Sequence, residues 1–317
     1  MRFFGDTNID FIGKRKVAFV VSAILILLSV VFLIAKGLNY SIDFTGGVSL
    51  ELDLTPNTPD AEEIDIQQIR DLVVENGFED IEIQTISSQS QDEDTRNIVL
   101  LKTKAQGKNA AALVDVIKNS FPNNVEEGKF IRLQEEVGPR IGEELKEKAI
   151  LAIFWALIGI IIYIWWRFEF TFGITAVMAL FHDIIITLGI FVITGKEISL
   201  TIVAALLTIV GYSLNDTIVV FDRIREDLKI YRREKYRSVI NHSINETLSR
   251  TIITSLTTLV VVLCLYFFGG TVIHDFAFAL LIGVIIGTYS SIFVASPLLA
   301  EHFIRRDKKR GIRKRRR

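Results

Sequence analysis

Six stretches of the chain are apolar for long enough to cross a bilayer: approximately Val17–Ala35, Ala149–Trp166, Phe172–Thr194, Leu200–Phe221, Thr251–Phe268 and Phe276–Leu299. At about 1.5 Å of rise per residue, each reaches across a hydrocarbon core of roughly 30 Å. Between the first and second stretches the pattern changes. Val48–Leu54 alternates apolar and polar positions, as a strand does, and Ala61–Asn76 before Gly77 has helical periodicity with a C-terminal glycine. Ile81–Ile86 and Asn97–Thr103 read as strands around the polar Ser87–Arg96, Ala105–Ser120 as a helix stopped by Pro122, and Phe130–Val137 as a last strand. This β-α-β-β-α-β order predicts a split βαβ, ferredoxin-like arrangement. The expected fold is a polytopic α-helical membrane protein with six transmembrane helices and an α+β ferredoxin-like extracytoplasmic domain between the first two.

Charge orients these elements. Residues 37–147 hold 23 acidic and 10 basic side chains, whereas 305–317 hold ten Lys/Arg against the single acid Asp307. The near-neutral net charge of −1 conceals this segregation. Basic segments stay in the cytoplasm, so both termini and the basic loop Asp222–Ser249 are expected inside, and the loops Gly195–Ser199 and Gly269–Asp275 outside. Four regions follow: 1–36, the cytoplasmic N-terminus and first transmembrane helix; 37–148, the extracytoplasmic α+β domain; 149–304, a five-helix transmembrane region; and 305–317, a basic cytoplasmic tail. The run Val17–Ala35 lacks a small-residue cleavage site after it and reads as a retained anchor rather than a signal peptide. Cys264 is the only cysteine, so there is no disulfide framework.

Candidate chemistry concentrates in the spans. The outer domain has no histidine and no cysteine, so a metal or nucleophilic centre there would need unusual ligands. No catalytic constellation, cofactor motif or metal cluster stands out, and glycine motifs for nucleotides are absent. The basic tail fits anionic lipid headgroups better than nucleic acid. Asp216 lies inside an apolar run, about 10 Å of helix rise before Asp222. An unpaired carboxylate at such depth costs about 3 kcal/mol on insertion scales, so it faces a bundle interior or a water path. Arg250 opens the next span from the same side. The pair suggests a proton or ion relay, the alternative being a static ion pair with the arginine snorkelling to the interface.

Thr208, Tyr212, Asn215 and Asp216 share one predicted helix face, and Arg250, Thr254, Thr257 and Thr258 repeat the spacing on the next span, so the two stripes are expected to face each other. His182 and Asp183, with Thr187 a turn on from Asp183, add titratable groups to the third span, either as supporting relay groups or as structural hydrogen bonds. Gly283 and Gly287 form a G-x-x-x-G pair suited to close helix packing.

Several runs together resemble the SecF family, the smaller membrane subunit of the SecD–SecF accessory complex of the bacterial Sec translocon, within the resistance-nodulation-division superfamily. They are Ile42-Asp43-Phe44-Thr45-Gly46-Gly47, Val137-Gly138-Pro139-Arg140-Ile141-Gly142, Phe181-His182-Asp183, Gly211-Tyr212-Ser213-Leu214-Asn215-Asp216-Thr217, Val220–Glu226 and Arg250-Thr251-Ile252-Ile253-Thr254-Ser255. The resemblance implies a SecD-like partner, work beside the SecYEG translocon and its associated accessory subunits on a translocating preprotein, and residence in the cytoplasmic (inner) membrane. It also implies that proton flow drives movement of the outer domains, with Asp216 and Arg250 as proton-transport residues. In the residues alone, H⁺ and Na⁺ remain alternative coupling ions, and a small-molecule exporter or a non-transporting assembly scaffold remain alternative functions. Asn215, Tyr212, Thr217, Thr254, Ser255, His182 and Asp183 are the expected supporting polar residues. Asp43, Gly46, Gly47, Gly138, Pro139 and Gly142 are candidate hinges, since glycine permits unusual backbone angles while proline limits where a bend falls. The alternative for these glycines is tight turns or close packing.

Overall fold

The structure, a computed structural model, describes residues 7–56, 64–78, 81–88, 96–103, 110–126 and 128–315. The chain divides into two compact units, Tyr40–Leu151 and the remainder.

In the first unit, a short helix α2 (Ile42–Thr45) leads into strand β1 (Gly47–Asp53), followed by α3 (Ile66–Glu75), β2 (Ile81–Ser88), β3 (Arg96–Thr103), α4 (Ala110–Ser120) and β4 (Ile131–Val137). The sheet order is β2-β3-β1-β4, with every neighbouring pair antiparallel. This is the ferredoxin-like topology expected from the element order. Asp65 caps α3 reciprocally with Gln68, and Gly77 ends it at φ +74°, where a side chain would be strained. The expected helix starts at Ala61 and Ala105 fall outside the described residues. The core is apolar: Leu50, Leu52, Leu101, Ile69, Val73, Leu113 and Ile117 are fully buried between the sheet and its helices. Buried amides are satisfied as the interior requires, with Asn97 donating to the Ile64 carbonyl and Asn124 to that of Leu54.

Six helices among the described residues are long and apolar enough to cross a membrane. They are α1 (Arg15–Lys36), α5 (Pro139–Arg167), α6 (Phe170–Thr194), α7 (Leu200–Ile230), α8 (Tyr236–Phe268) and the segment Ile273–Asp307. The last is not one regular helix. It consists of α9 (Gly270–Ser290), a π-helical turn over Ser291–Ala295, and α10 (Ser296–Arg315). Pro297 accounts for the break: it lacks the N–H that the Phe293 carbonyl would otherwise bind, and the ladder relaxes there.

Two expectations need correction. The segment Asp222–Ser249 is helical at both ends, with only 231–235 between α7 and α8. Arg223 explains part of this, pairing with Glu226 one turn on and with Glu246 of α8 at 2.5 Å. The expected loop Gly269–Asp275 is likewise mostly the first turn of α9. An unanticipated strap, residues 7–14, also ties itself to α8. Asn241 and Asn245 both donate to the Ile9 carbonyl, and Phe11 and Ile12 are buried in the bundle core. The Gly13 amide donates to Asp10 and, with Arg237 at 2.8 Å, holds that carboxyl below its usual range.

Candidate functional site: two carboxylates inside the helical bundle

Small residues bring the helices together where the polar groups lie. A Cβ at Gly283 of α9 would collide with the Ile209 side chain of α7, and one at Gly287 would lie 3.1 Å from the Ser213 Cβ. Gly189 of α6 is equally close to Ser29 of α1. The G-x-x-x-G pair therefore lets α9 lie directly on α7, close enough for hydroxyls to reach carboxylates across the contact.

Asp216 is 3 % exposed. Its Oδ2 accepts from the Ser255 hydroxyl of α8 at 3.2 Å, and Ser255 in turn accepts from Thr288 of α9 at 2.7 Å. The expected contact with Arg250 is not formed. Arg250 is exposed and makes no ion pair with Asp216; its charge reaches the carboxylate only through space. Helix geometry gives the reason. Arg250 precedes Ser255 by five residues, which places it about 140° around the helix and about 7.5 Å along it.

Both expected stripes are rotated from the faces the chain buries. On α8 the buried polar positions are Ser243, Thr247, Thr251 and Ser255, four residues apart. Thr254 is half-buried, and Thr257 and Thr258 return their hydroxyls to its carbonyl. On α7 the inward face is Ser213, Asp216, Thr217 and Val220, while Thr208 and Asn215 are exposed. Tyr212 is half-buried with no partner for its hydroxyl among the described residues.

Asp183 of α6 is fully buried and better satisfied. Its Oδ2 accepts from Ser213 of α7 at 2.5 Å and from Ser290 of α9 at 2.7 Å, and its Oδ1 lies 2.8 Å from Nδ1 of His182. The imidazole, 3 % exposed, stacks on Tyr289, whose hydroxyl reaches Ser22 and the Ala18 carbonyl of α1. Ser213, Ser290, Thr288 and Tyr289 were not singled out by the sequence. Their only signal was small hydroxyl residues within apolar helices, a pattern shared with ordinary packing.

The candidate hinge residues meet in the α/β unit. Gly46 has φ +71°, and a Cβ there would lie 2.7 Å from the Pro139 Cα; one at Gly142 would lie 2.9 Å from the Gly46 nitrogen. Gly47 pairs with Val137 at the edge of the sheet, so Gly138 and Pro139 follow directly from it. The Asp43 amide is capped by the Ser41 hydroxyl at 3.3 Å. The two connections thus cross in backbone contact. A further cluster, Asp227, His242 and Glu246, has the spacing of a cation site. Arg223 already pairs with its two carboxylates, at 3.3 Å and 2.5 Å, which makes it an ion-pair network.

The family model for the C-terminal region of the protein export membrane proteins SecD and SecF matches residues 116–305, more than half of the chain. The chain belongs to the SecD/SecF family. A second model, the SecD/SecF GG motif, matches residues 31–58, around Gly46 and Gly47. Among relatives of this family, the protein translocase subunit SecF of Desulfurispirillum indicum is 47 % identical over 296 residues, covering 92 % of this chain and 90 % of that one. The SecF subunit of Endomicrobium trichonymphae is 42 % identical over 315 residues, covering 98 % and 96 %. The crystal structure of SecDF, a translocon-associated membrane protein from Thermus thermophilus, superposes with a TM-score of 0.79 at 39 % identity over 92 % of this chain. A SecDF crystal structure in a super-membrane-facing form gives 0.70 at 37 % identity. This SecD/SecF chain spans 38 % and 41 % of those two solved chains.

Proposed function

We propose that this chain is an accessory subunit of the Sec protein translocase that uses the proton gradient to promote late steps of preprotein export across the cytoplasmic (inner) membrane. The observation that carries this reading is Asp216: a carboxylate inside a membrane-spanning helix, held by one hydroxyl and touched by no cation among the described residues, in a chain of the SecD/SecF family. A group so placed accepts a proton with little to break. Asp216 and Arg250 form the relay. When Asp216 is ionised, helix arrangements that bring Arg250 to it are favoured; when it is protonated, that attraction is gone.

The energies are commensurate with a switch. A proton crossing 100 mV releases about 2.3 kcal/mol. Tipping a two-state equilibrium from 1:99 to 99:1 takes about 5.5 kcal/mol, so one proton biases the switch and more than one completes it. The α/β unit, outside the membrane, responds by moving, and the crossing of Asp43, Gly46 and Gly47 with Gly138, Pro139 and Gly142 is where it bends. Both termini face the cytoplasm, where the arginines of the tail meet anionic lipid. A SecD-like subunit supplies the missing helices. Asn215 supports this, since its amide is exposed on a membrane span, where lipid offers no hydrogen bonds, whereas the Thr208 hydroxyl is satisfied by the Ala204 carbonyl. SecYEG and the emerging preprotein complete the assembly.

Asp216→Asn, reconstituted with its partner subunits in vesicles, is the test. The amide fills the same space and still accepts from Ser255, so insertion and assembly persist while the gradient-dependent part of export disappears. Wild-type export by a stably inserted Asp216→Asn protein would overturn the relay.

A further inference from the structure

Asp183 has no part in that relay, yet it is the more deeply buried of the two carboxylates and joins more helices. It takes hydrogen bonds from α6, α7 and α9 at once. The charged groups on the packed elements are committed elsewhere. Arg15 of α1 and Arg305 pair with Glu301 of α10, and on α7 the ionisable groups beside Ser213 are the half-buried Tyr212 and Asp216. From α9 comes Tyr289, whose hydroxyl is turned to α1. Among the described residues, the side chains that hydrogen-bond Asp183 are His182, Ser213 and Ser290, and none is a fixed cation. With no fixed cation in contact, only hydrogen bonds offset the hydration that a buried carboxylate gives up.

The serine hydroxyls around it are satisfied whether or not a proton is bound, while Nε2 of His182 has no partner among the described residues. With Asp183 ionised, Ser213 and Ser290 both donate to Oδ2. With a proton on Oδ2, that oxygen donates to Ser290, whose own hydrogen turns to the Gly287 carbonyl, already 3.1 Å away. A hydroxyl both donates and accepts, so the exchange adds no orphan. The same exchange acts on the point where α9 passes into its π-helical turn, which starts at Ser291, and such turns often mark functional sites.

We infer that Asp183, with His182 beside it, is a second proton-binding site of the bundle, loaded in the same cycle as Asp216 and read out through Ser290 at the start of the π-helical turn. The inference rests on the proposed function above and deepens it. The two carboxylates share their reporters: Ser213 lies three residues before Asp216 on α7, and Thr288 lies two before Ser290 on α9. Each proton adds to a carboxylate oxygen and cancels one negative charge. A change at one site therefore alters the helices that hold the other, and the pair titrates as a coupled unit.

The test is infrared difference spectroscopy of the whole complex between acidic and alkaline pH, alongside gradient-driven export in vesicles. The wild type should show two protonated-carboxyl C=O bands from low-dielectric sites, one lost in Asp216→Asn and the other in Asp183→Asn. Asparagine at 183 keeps every contact, accepting from both serines and donating to His182 in its other tautomer, so a merely structural carboxylate would tolerate it. Export driven by the gradient should fall at least tenfold in Asp183→Asn. Ser290→Ala, which removes one partner and no charge, should keep the Asp183 band and shift its frequency. If Asp183→Asn fails to insert, the Ser290→Ala shift alone decides, and an unshifted pair of bands overturns the inference. Loss of no band in Asp183→Asn, or wild-type export by it, also overturns it while leaving Asp216 untouched. Wild-type export by Asp216→Asn would instead remove the proposed function beneath it.

Discussion

The two units of this protein place polarity in opposite directions. In the α/β unit the centre is apolar, built on Leu50, Leu52, Leu101 and Ile117, and exposed side chains include Gln67, Asp71, Glu75 and Lys118. In the helical unit the centre carries Asp183, Asp216, Ser213, Ser255 and Ser290, while Val17, Val20, Ile24, Leu27, Trp165 and Trp166 are exposed. The difference follows from the solvent each meets. Water drives apolar groups inward in the first. Lipid exerts no such drive in the second, where hydrogen bonds and close packing hold helices together. Removing a polar group should therefore be cheap on the α/β unit and expensive in the bundle, and removing apolar volume the reverse of that for the unit's core.

The largest effect should come from the bundle. Asp216→Asn should abolish gradient-dependent export with little change in the amount of inserted protein. Arg250→Lys should impair it less completely, because a point ammonium lacks the guanidinium fork. Export rates with and without an imposed gradient separate the two. In the α/β unit, Leu101→Ala should destabilise the sheet by about 2–5 kcal/mol, as large-to-small core changes do. Hydrogen exchange at the amides of β1 and β3 in the full protein would show it, with the amides of α7 unchanged. Gly142→Ala should cost about 1–3 kcal/mol, since the added methyl meets backbone rather than a movable side chain. Its signature would be faster exchange at Gly46 and Gly47; unchanged exchange would show that the crossing is looser than its distances imply. Glu144→Gln should be smallest, leaving exchange throughout the unit unchanged, because its pairing with Lys148 at 2.6 Å is exposed to water. Faster exchange would break the contrast between the units.

The acid limb sharpens the same contrast at the strap. The Asp10 carboxyl is lowered in the folded protein, so its contribution is complete above the carboxylate's unfolded pKa and is lost as pH falls through the lower folded value. Asp10→Asn should remove that acid dependence of strap docking, read by proteolysis of residues 7–14, and leave neutral-pH export unaltered.

Much of this was legible in the chain. The six apolar runs became the six spans, because run length alone decides whether a helix reaches across a bilayer. The alternation in Val48–Leu54 and the order of elements after it led to the sheet order β2-β3-β1-β4. Depth along a helix was legible as well: Asp216 sits inside its span because its neighbours are apolar on both sides. Rotation about the helix was not. Periodicity alone admits the stripes through Thr208 and Arg250 as well as the faces that are buried, and adjacent residues differ by about 100°. Which one faces inward depends on the neighbour that comes closest.

Tertiary contact decided the remainder. Gly283 and Gly287 set α9 against α7, and only then do Ser213 and Ser290, 77 positions apart in the chain, converge on one oxygen of Asp183. The helical links around Arg223 and Glu246 likewise depend on α7 and α8 lying side by side. Sequence determined which helices form and how deep each charge lies, because both follow from local composition and length. Their facing was set by packing, because a helix alone has no preferred side until a second surface meets it.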